Sequence, residues 1–151
     1  MSEAYEFPPF LEGRVTKQKY LNWLGKKAAA HVKRDRKRLT SPVILSLYKR
    51  MIHKAVCASG GKDWYTGENL EWEKIGTYNN DESKAGRSHY KARLALLPTA
   101  DHVLGEDDAY DFVICGWRTN DAKNDLNLLE FLDVCRKVVA HRGATTLKAV
   151  S

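Results

Sequence analysis

Apolar residues recur at helical spacing twice in the first half of the chain. Tyr20, Leu21, Leu24, Ala28, His31 and Val32 fall on one face, because side chains three and four positions apart stack on the same side of a helix. Thr16 is a favoured N-cap type, so the pattern predicts a helix over about residues 17–36. Gly25 weakens its interior by about 1 kcal/mol relative to Ala. Ser41-Pro42 then offers an N-cap followed by proline at the first helical position. After it, Ile44, Leu45, Leu47, Tyr48, Met51, Ile52, Ala55 and Val56 give a second helix a broad apolar face, which Gly60-Gly61 ends.

Elsewhere the pattern changes. Pro8 and Pro9 exclude a helix from the lead-in over 1–13, where Phe7, Phe10 and Leu11 are candidate anchors onto the body. Residues 62–90 are rich in turn formers, with Trp64 and Trp72 as two aromatic anchors of a hairpin or loop. Two short apolar runs, 90–97 and 111–117, are the predicted strands. Pro98 limits the first or places a bulge near its end. Glu106, Asp107 and Asp108 mark an acidic loop between them. A helix opening near Thr119 is expected to break around Asp125. Asn127 and Glu130 have capping-box spacing for a last helix over about 128–141. Its predicted buried face is Leu128, Leu129, Leu132, Cys135, Val138 and Val139.

A chain of 151 residues is one domain of ordinary size. Its formal charge of +6 is unevenly spread: residues 14–54 hold thirteen Lys/Arg and one acid, Asp35, a net +12, so the remainder carries −6. Such a basic half suits a polyanion grip. Lys26, Lys27, Lys33, Arg34, Arg36, Lys37 and Arg38 are the candidate phosphate contacts; a solvated helix end is the plainer reading of the same run. Cys57, Cys115 and Cys135 are odd in number and form no Cys-x-x-Cys pair, which argues against a disulfide framework and a structural zinc site. No apolar run approaches the roughly 20 residues that span a bilayer, and Met1 to Phe10 lacks signal-peptide features. A cytoplasmic, intracellular protein without a membrane partner is expected.

The chemistry gathers at Asp101-His102, after the first apolar run, and Asn120, after the second. An imidazole beside a carboxylate can activate water, and a carboxylate with an amide oxygen can hold a hard cation. That combination suits phosphodiester hydrolysis. Each residue also has a plainer reading: a core or surface histidine, a strand-end turn former, and a helix N-cap. His89, with Arg87 and Arg93, reads as a surface-loop histidine.

At these residues the stretch from Leu96 to Val139 resembles the HNH nucleases, the ββα-metal fold. Asp101-His102-Val103 matches the family's Asp-His-Ile/Val, Asn120 its helix-start Asn, and Lys123 the Lys that often follows. Thr66-Gly67-Glu68-Asn69-Leu70 looks like the Thr/Ser-Gly-x-x-Leu element ahead of the motif. Asp111 stands nine residues before Asn120, where the family usually has its central Asn. The Cys-x-x-Cys knuckles of many members are absent.

The resemblance implies an α+β fold: a ββα-metal core over 61–151, behind a lead-in (1–13) and a basic helical region (14–60), in one domain without structural zinc. It implies a metal-dependent endonuclease acting on DNA, more readily double-stranded. Mg²⁺ (or Mn²⁺) would be held by Asp101 and Asn120, with His102 as general base and Asp111 as a brace. Lys123 would lie near a phosphate, and Arg118 near the transition-state charge, although simple solvation fits both equally. The alternative is a non-cleaving nucleic-acid-binding module on the same scaffold, which Asp111 in place of Asn favours. A third reading is an interaction protein that docks a partner through aromatics such as Tyr5, Phe7 and Trp64. Sequence specificity is not legible, and a homodimer stays open.

Overall fold

The computed structural model describes residues 5–39, 42–76, 92–104 and 110–143. Among them the chain is α+β: four α-helices and one two-stranded antiparallel sheet. Helix α1 spans Lys17–Arg38 and α2 spans Leu45–Ser59. Strand β1 is Pro98–His102 and β2 is Phe112–Gly116. Helices α3, Trp117–Lys123, and α4, Leu128–Val138, follow, and a π turn over Val139–Gly143 closes the described part.

Local signals account for most ends. Thr16 Oγ1 accepts from Lys19 N at 3.1 Å and starts α1. Gly60 (φ 61°) stops α2 in the left-handed region that glycine tolerates. Asn127 and Glu130 form a reciprocal capping box at α4. Helix α2 begins at Leu45, three residues later than the Ser41-Pro42 signal, and Ser41 lies outside the described residues.

The core joins α1 and α2 to the sheet. Tyr20, Leu24, Tyr48, Ile52, Val56, Trp72 and Ile114 are all at most 1 % exposed. Trp72 sits among aromatic rings, 5.4 Å from Trp23 and 5.9 Å from Phe10 between centroids, and its Nε1–H donates to Gly61 O at 3.1 Å. Leu11 is fully buried, and Phe7 lies 6.1 Å from the Tyr20 ring, so the lead-in is anchored as its apolar residues implied. Trp64, the other expected anchor, is 51 % exposed.

Three sequence readings are corrected. The first strand was expected over 90–97; residues 92–96 instead form a helical turn and β1 runs through Asp101 and His102. Pro98 is its first residue, one of the few strand positions where a missing N–H is tolerated. Residues 77–91, with the expected loop at 79–88 and with Arg87 and His89, lie outside the described residues, as does 105–109 in the acidic loop. The third helix starts at Trp117, directly after β2, and ends at Lys123, so Asn120 lies inside it and Gly116 takes the N-cap position. The last helix buries none of its residues: Leu129 is 75 %, Val138 57 % and Val139 67 % exposed. Its periodicity is real, but of that face only Leu128 and Leu132 are even half-buried.

Asp63 locks the loop before the sheet onto it. Its carboxylate accepts from Tyr65 N, Thr66 N, Gly116 N and Thr119 Oγ1, all at 2.7–3.0 Å. Gly116 has to be glycine here, because a Cβ would lie 2.8 Å from Ala95 O. All three cysteines are free. No helix among the described residues is long and apolar enough to cross a membrane.

Candidate metal and catalytic site

Three segments distant in sequence supply the site: the last turns of α1, the end of β1, and the residues leading into β2. The sheet register pairs His102 with Phe112 and Asp101 with Val113. Successive side chains of a strand point to opposite faces, and the two candidates have different neighbours accordingly. Asp101 turns to Tyr65 and Lys123, and His102 turns to α1, α2 and Asp111.

His102 is held at both ring nitrogens. Nδ1 lies 2.6 Å from Asp111 Oδ1, and Nε2 lies 2.8 Å from Asp35 Oδ2. Asp111 also accepts from Leu104 N, so it spans the imidazole and the loop backbone. Asp35 in turn accepts from Tyr48 Oη at 2.7 Å. Phe112 lies 4.4 Å from the His102 ring between centroids. Burial opposes charge on His102, but the hydrogen bonds to Asp111 and Asp35 outweigh it and raise its pKa above the ordinary histidine value. Burial likewise pushes the Asp35 carboxyl up, yet Tyr48 and His102 together bring it below the usual value. In its protonated form His102 can donate from both nitrogens, one to each carboxylate.

His31, one helical turn before Asp35, behaves oppositely. Its Nε2–H donates to Ala100 O at 3.0 Å, on the outer edge of β1. Burial, then the charges of Arg34 and His102, push its pKa down to about 3, so the ring is neutral. Its Nδ1 is buried without a partner, the only such side-chain atom among the described residues.

Asp101 is 7 % exposed, and its Oδ2 accepts from Tyr65 Oη at 2.6 Å and pairs with Lys123 Nζ at 3.0 Å. Lys123, 1 % exposed, also donates to His102 O at 3.0 Å. It is therefore an internal cation of the fold rather than a solvated one. Arg118 pairs with Glu68 at the surface, 3.0 Å apart.

A cavity of about 270 Å³ opens on this cluster. Asp101, His102, Asn120 and Lys123 all line it, together with His31 and Asp35. Arg34 and Arg38, two of the seven basic candidates, stand on its wall as well; Arg118 and Asp111 do not line it. The other basic residues diverge. Lys27 is half-buried, donates to Thr99 Oγ1 at 3.2 Å, and has its pKa lowered by burial and then by Arg34. Arg36 donates to Val43 O at 3.3 Å, and Lys26, Lys33 and Lys37 are exposed.

Sequence reasoning missed His31, Asp35, Tyr48 and Tyr65 as site residues. One signal was available: Asp35 is the single acid in a stretch of +12 and stands four residues after a histidine on the apolar face of α1. A lone acid at that spacing is positioned to meet a buried partner. Compared with protein-family models, curated proteins and solved structures, the chain finds no match.

Proposed function

We propose that this chain cleaves phosphodiester bonds in DNA, with His102 as general base, in the manner of the HNH nucleases it resembles. The carrying observation is the Asp111–His102 contact, which fixes the imidazole through Nδ1 beside a cavity also lined by Asp101, Asn120 and two arginines. The order β1, β2, α3 is consistent with a ββα core. Arg34 and Arg38 stand on the wall of this cavity, which Asp121 and Asp125 also line, and could meet a phosphate there.

His102 can take a proton from water only after releasing the one it shares with Asp35. Its raised pKa therefore places activity on the alkaline side of the ordinary histidine range. Mg²⁺ or Mn²⁺ at Asp101 and Asn120, which the resemblance implies, does not suit the donor set as arranged. The Asp101 carboxylate is already neutralised by Lys123, and a dication beside it would face that ammonium.

The second reading, a non-cleaving nucleic-acid-binding module, draws on the same feature: Asp35 occupies the nitrogen that a base needs. Supercoiled plasmid incubated with Mg²⁺ or Mn²⁺ decides between them, using wild type, His102→Ala and an EDTA control. Nicking or linearisation that requires His102 supports the enzyme, and loss of cutting in EDTA adds the metal. A protein that never cuts, yet shifts DNA in a gel with steep salt dependence, is the binding module.

A further inference from the structure

We propose that His31, Asp35 and His102 form a site for one borderline transition-metal dication, Zn²⁺ or Co²⁺, separate from the Asp101–Asn120 pair. One ligand atom from each residue lies within 4.8 Å of the other two. His31, only 4 % exposed, also carries a buried Nδ1 without a hydrogen-bond partner. A buried imidazole nitrogen with nothing to bind is costly. A metal ion removes that cost, and no polar group among the described residues does.

Each ligand already has the outer partner that metal-binding side chains use. Ala100 O takes the Nε2–H of His31 and leaves the lone pair at Nδ1. In the tautomer that gives its Nδ1–H to Asp111, His102 leaves Nε2 facing Asp35 Oδ2 across 2.8 Å. Tyr48 Oη orients Asp35. A neutral His102 in this tautomer would point a lone pair at a carboxylate. A metal ion between them relieves that repulsion.

The dimensions allow the exchange. Metal–ligand bonds of about 2.0–2.1 Å in a tetrahedron place ligand atoms roughly 3.3 Å apart. The His102–Asp35 contact has to open by roughly half an ångström for this, while the wider separations in the cluster close. Two imidazoles and one carboxylate favour Zn²⁺ and Co²⁺ over Mg²⁺, which prefers oxygen. Three protein ligands leave a position for water on the cavity side.

The proposal does not rest on the cleavage reading, although a metal here and a free base at His102 exclude each other. Co²⁺ titration of the whole chain, followed by visible absorption and back-displacement with Zn²⁺, tests it. One Co²⁺ per chain is expected, with a d–d band of low-symmetry geometry. Asp35→Asn and His31→Phe, each checked for folding by circular dichroism, lose the band. Asp111→Asn weakens binding about tenfold or more through the outer partner, and Cys57→Ser changes nothing. A wild type that takes up no stoichiometric Co²⁺ or Zn²⁺ overturns the site; so do folded Asp35→Asn and His31→Phe proteins that bind like wild type. The titration reads binding alone, so a chain that takes up one Co²⁺ and never cuts DNA supports this site and sinks only the cleavage reading.

Discussion

Lys123→Met is the most informative single perturbation. Met keeps most of the aliphatic stem of Lys123 and removes the ammonium that pairs with Asp101 and donates to His102 O, both at 3.0 Å. Lys123 is 1 % and Asp101 7 % exposed, so the change leaves a buried carboxylate with Tyr65 as its remaining partner. Breaking a buried pair by removing one partner costs roughly 3–5 kcal/mol. A domain of this size is stable by only about 5–15 kcal/mol. With a urea slope of about 2 kcal/mol per molar, the unfolding midpoint should fall by about 2 M. Adding Asp101→Asn removes the stranded charge while keeping an oxygen for Tyr65, and should recover about 1–3 kcal/mol of that loss as a coupling energy. A solvated lysine waiting for phosphate would move the midpoint by no more than about 0.25 M. Equilibrium urea unfolding followed by tryptophan fluorescence reads both proteins. An unchanged Lys123→Met midpoint, or strictly additive single and double variants, would refute the internal pair.

Two further outcomes follow from the geometry. Asp63→Ala strips the acceptor from Gly116 N and Thr119 Oγ1, both in buried residues, at about 1–3 kcal/mol for each stranded donor; a loss of roughly 2–6 kcal/mol should appear in the same unfolding experiment, and a change below about 0.5 kcal/mol would put Asp63 at an ordinary surface position. Stability should also peak near pH 6.5, the ordinary histidine value, because His31 and His53 pull one way and His102 the other. The depressed pKa of His31 means that only the unfolded chain gains its proton as pH falls from 6.5 towards about 3, costing about 1.4 kcal/mol per pH unit. The raised pKa of His102 means that the folded chain keeps a proton that the unfolded chain loses above 6.5, so stability falls as pH rises through the folded value. His31→Phe should make the acid limb shallower, the burial-lowered His53 keeping part of it, and His102→Phe should flatten the alkaline one; unfolding midpoints that run level across 6.5 in the wild type would contradict these assignments.

The parts of this molecule legible in sequence are those written in local chemistry. Thr16, Gly60 and the Asn127–Glu130 box announce helix ends because capping acts over three or four residues. The buried stripe of α1 was visible as a period, His31 included. What the period could not say is how deeply an apolar stripe is buried: α4 has the same signature and buries none of its residues fully. Strand β1 was displaced because its apolar content continues upstream, and the proline that looked like a terminator is the residue that starts it. At the site, the adjacent Asp101 and His102 were easy to see, and the adjacency concealed their division between two neighbourhoods. The partners of His102 come from 67 residues upstream and nine downstream, a distance at which residue type carries no address.

That wide separation has a kinetic consequence. Closing a flexible loop of the length between Asp35 and His102 carries an entropic cost of about 4 kcal/mol before any contact rewards it. Contacts so far apart in sequence form late and slow the approach to the native state. A growing chain will have made α1 and α2 long before β1 emerges, and until the sheet docks, Asp35 and His31 are ordinary side chains on a basic helix. The cavity therefore exists only once α1 and the sheet have docked, because its lining comes from both. A fragment starting at residue 61 would retain Asp101, Asp111 and Asn120 yet lack the α1 wall, and with it His31, Asp35 and both arginines.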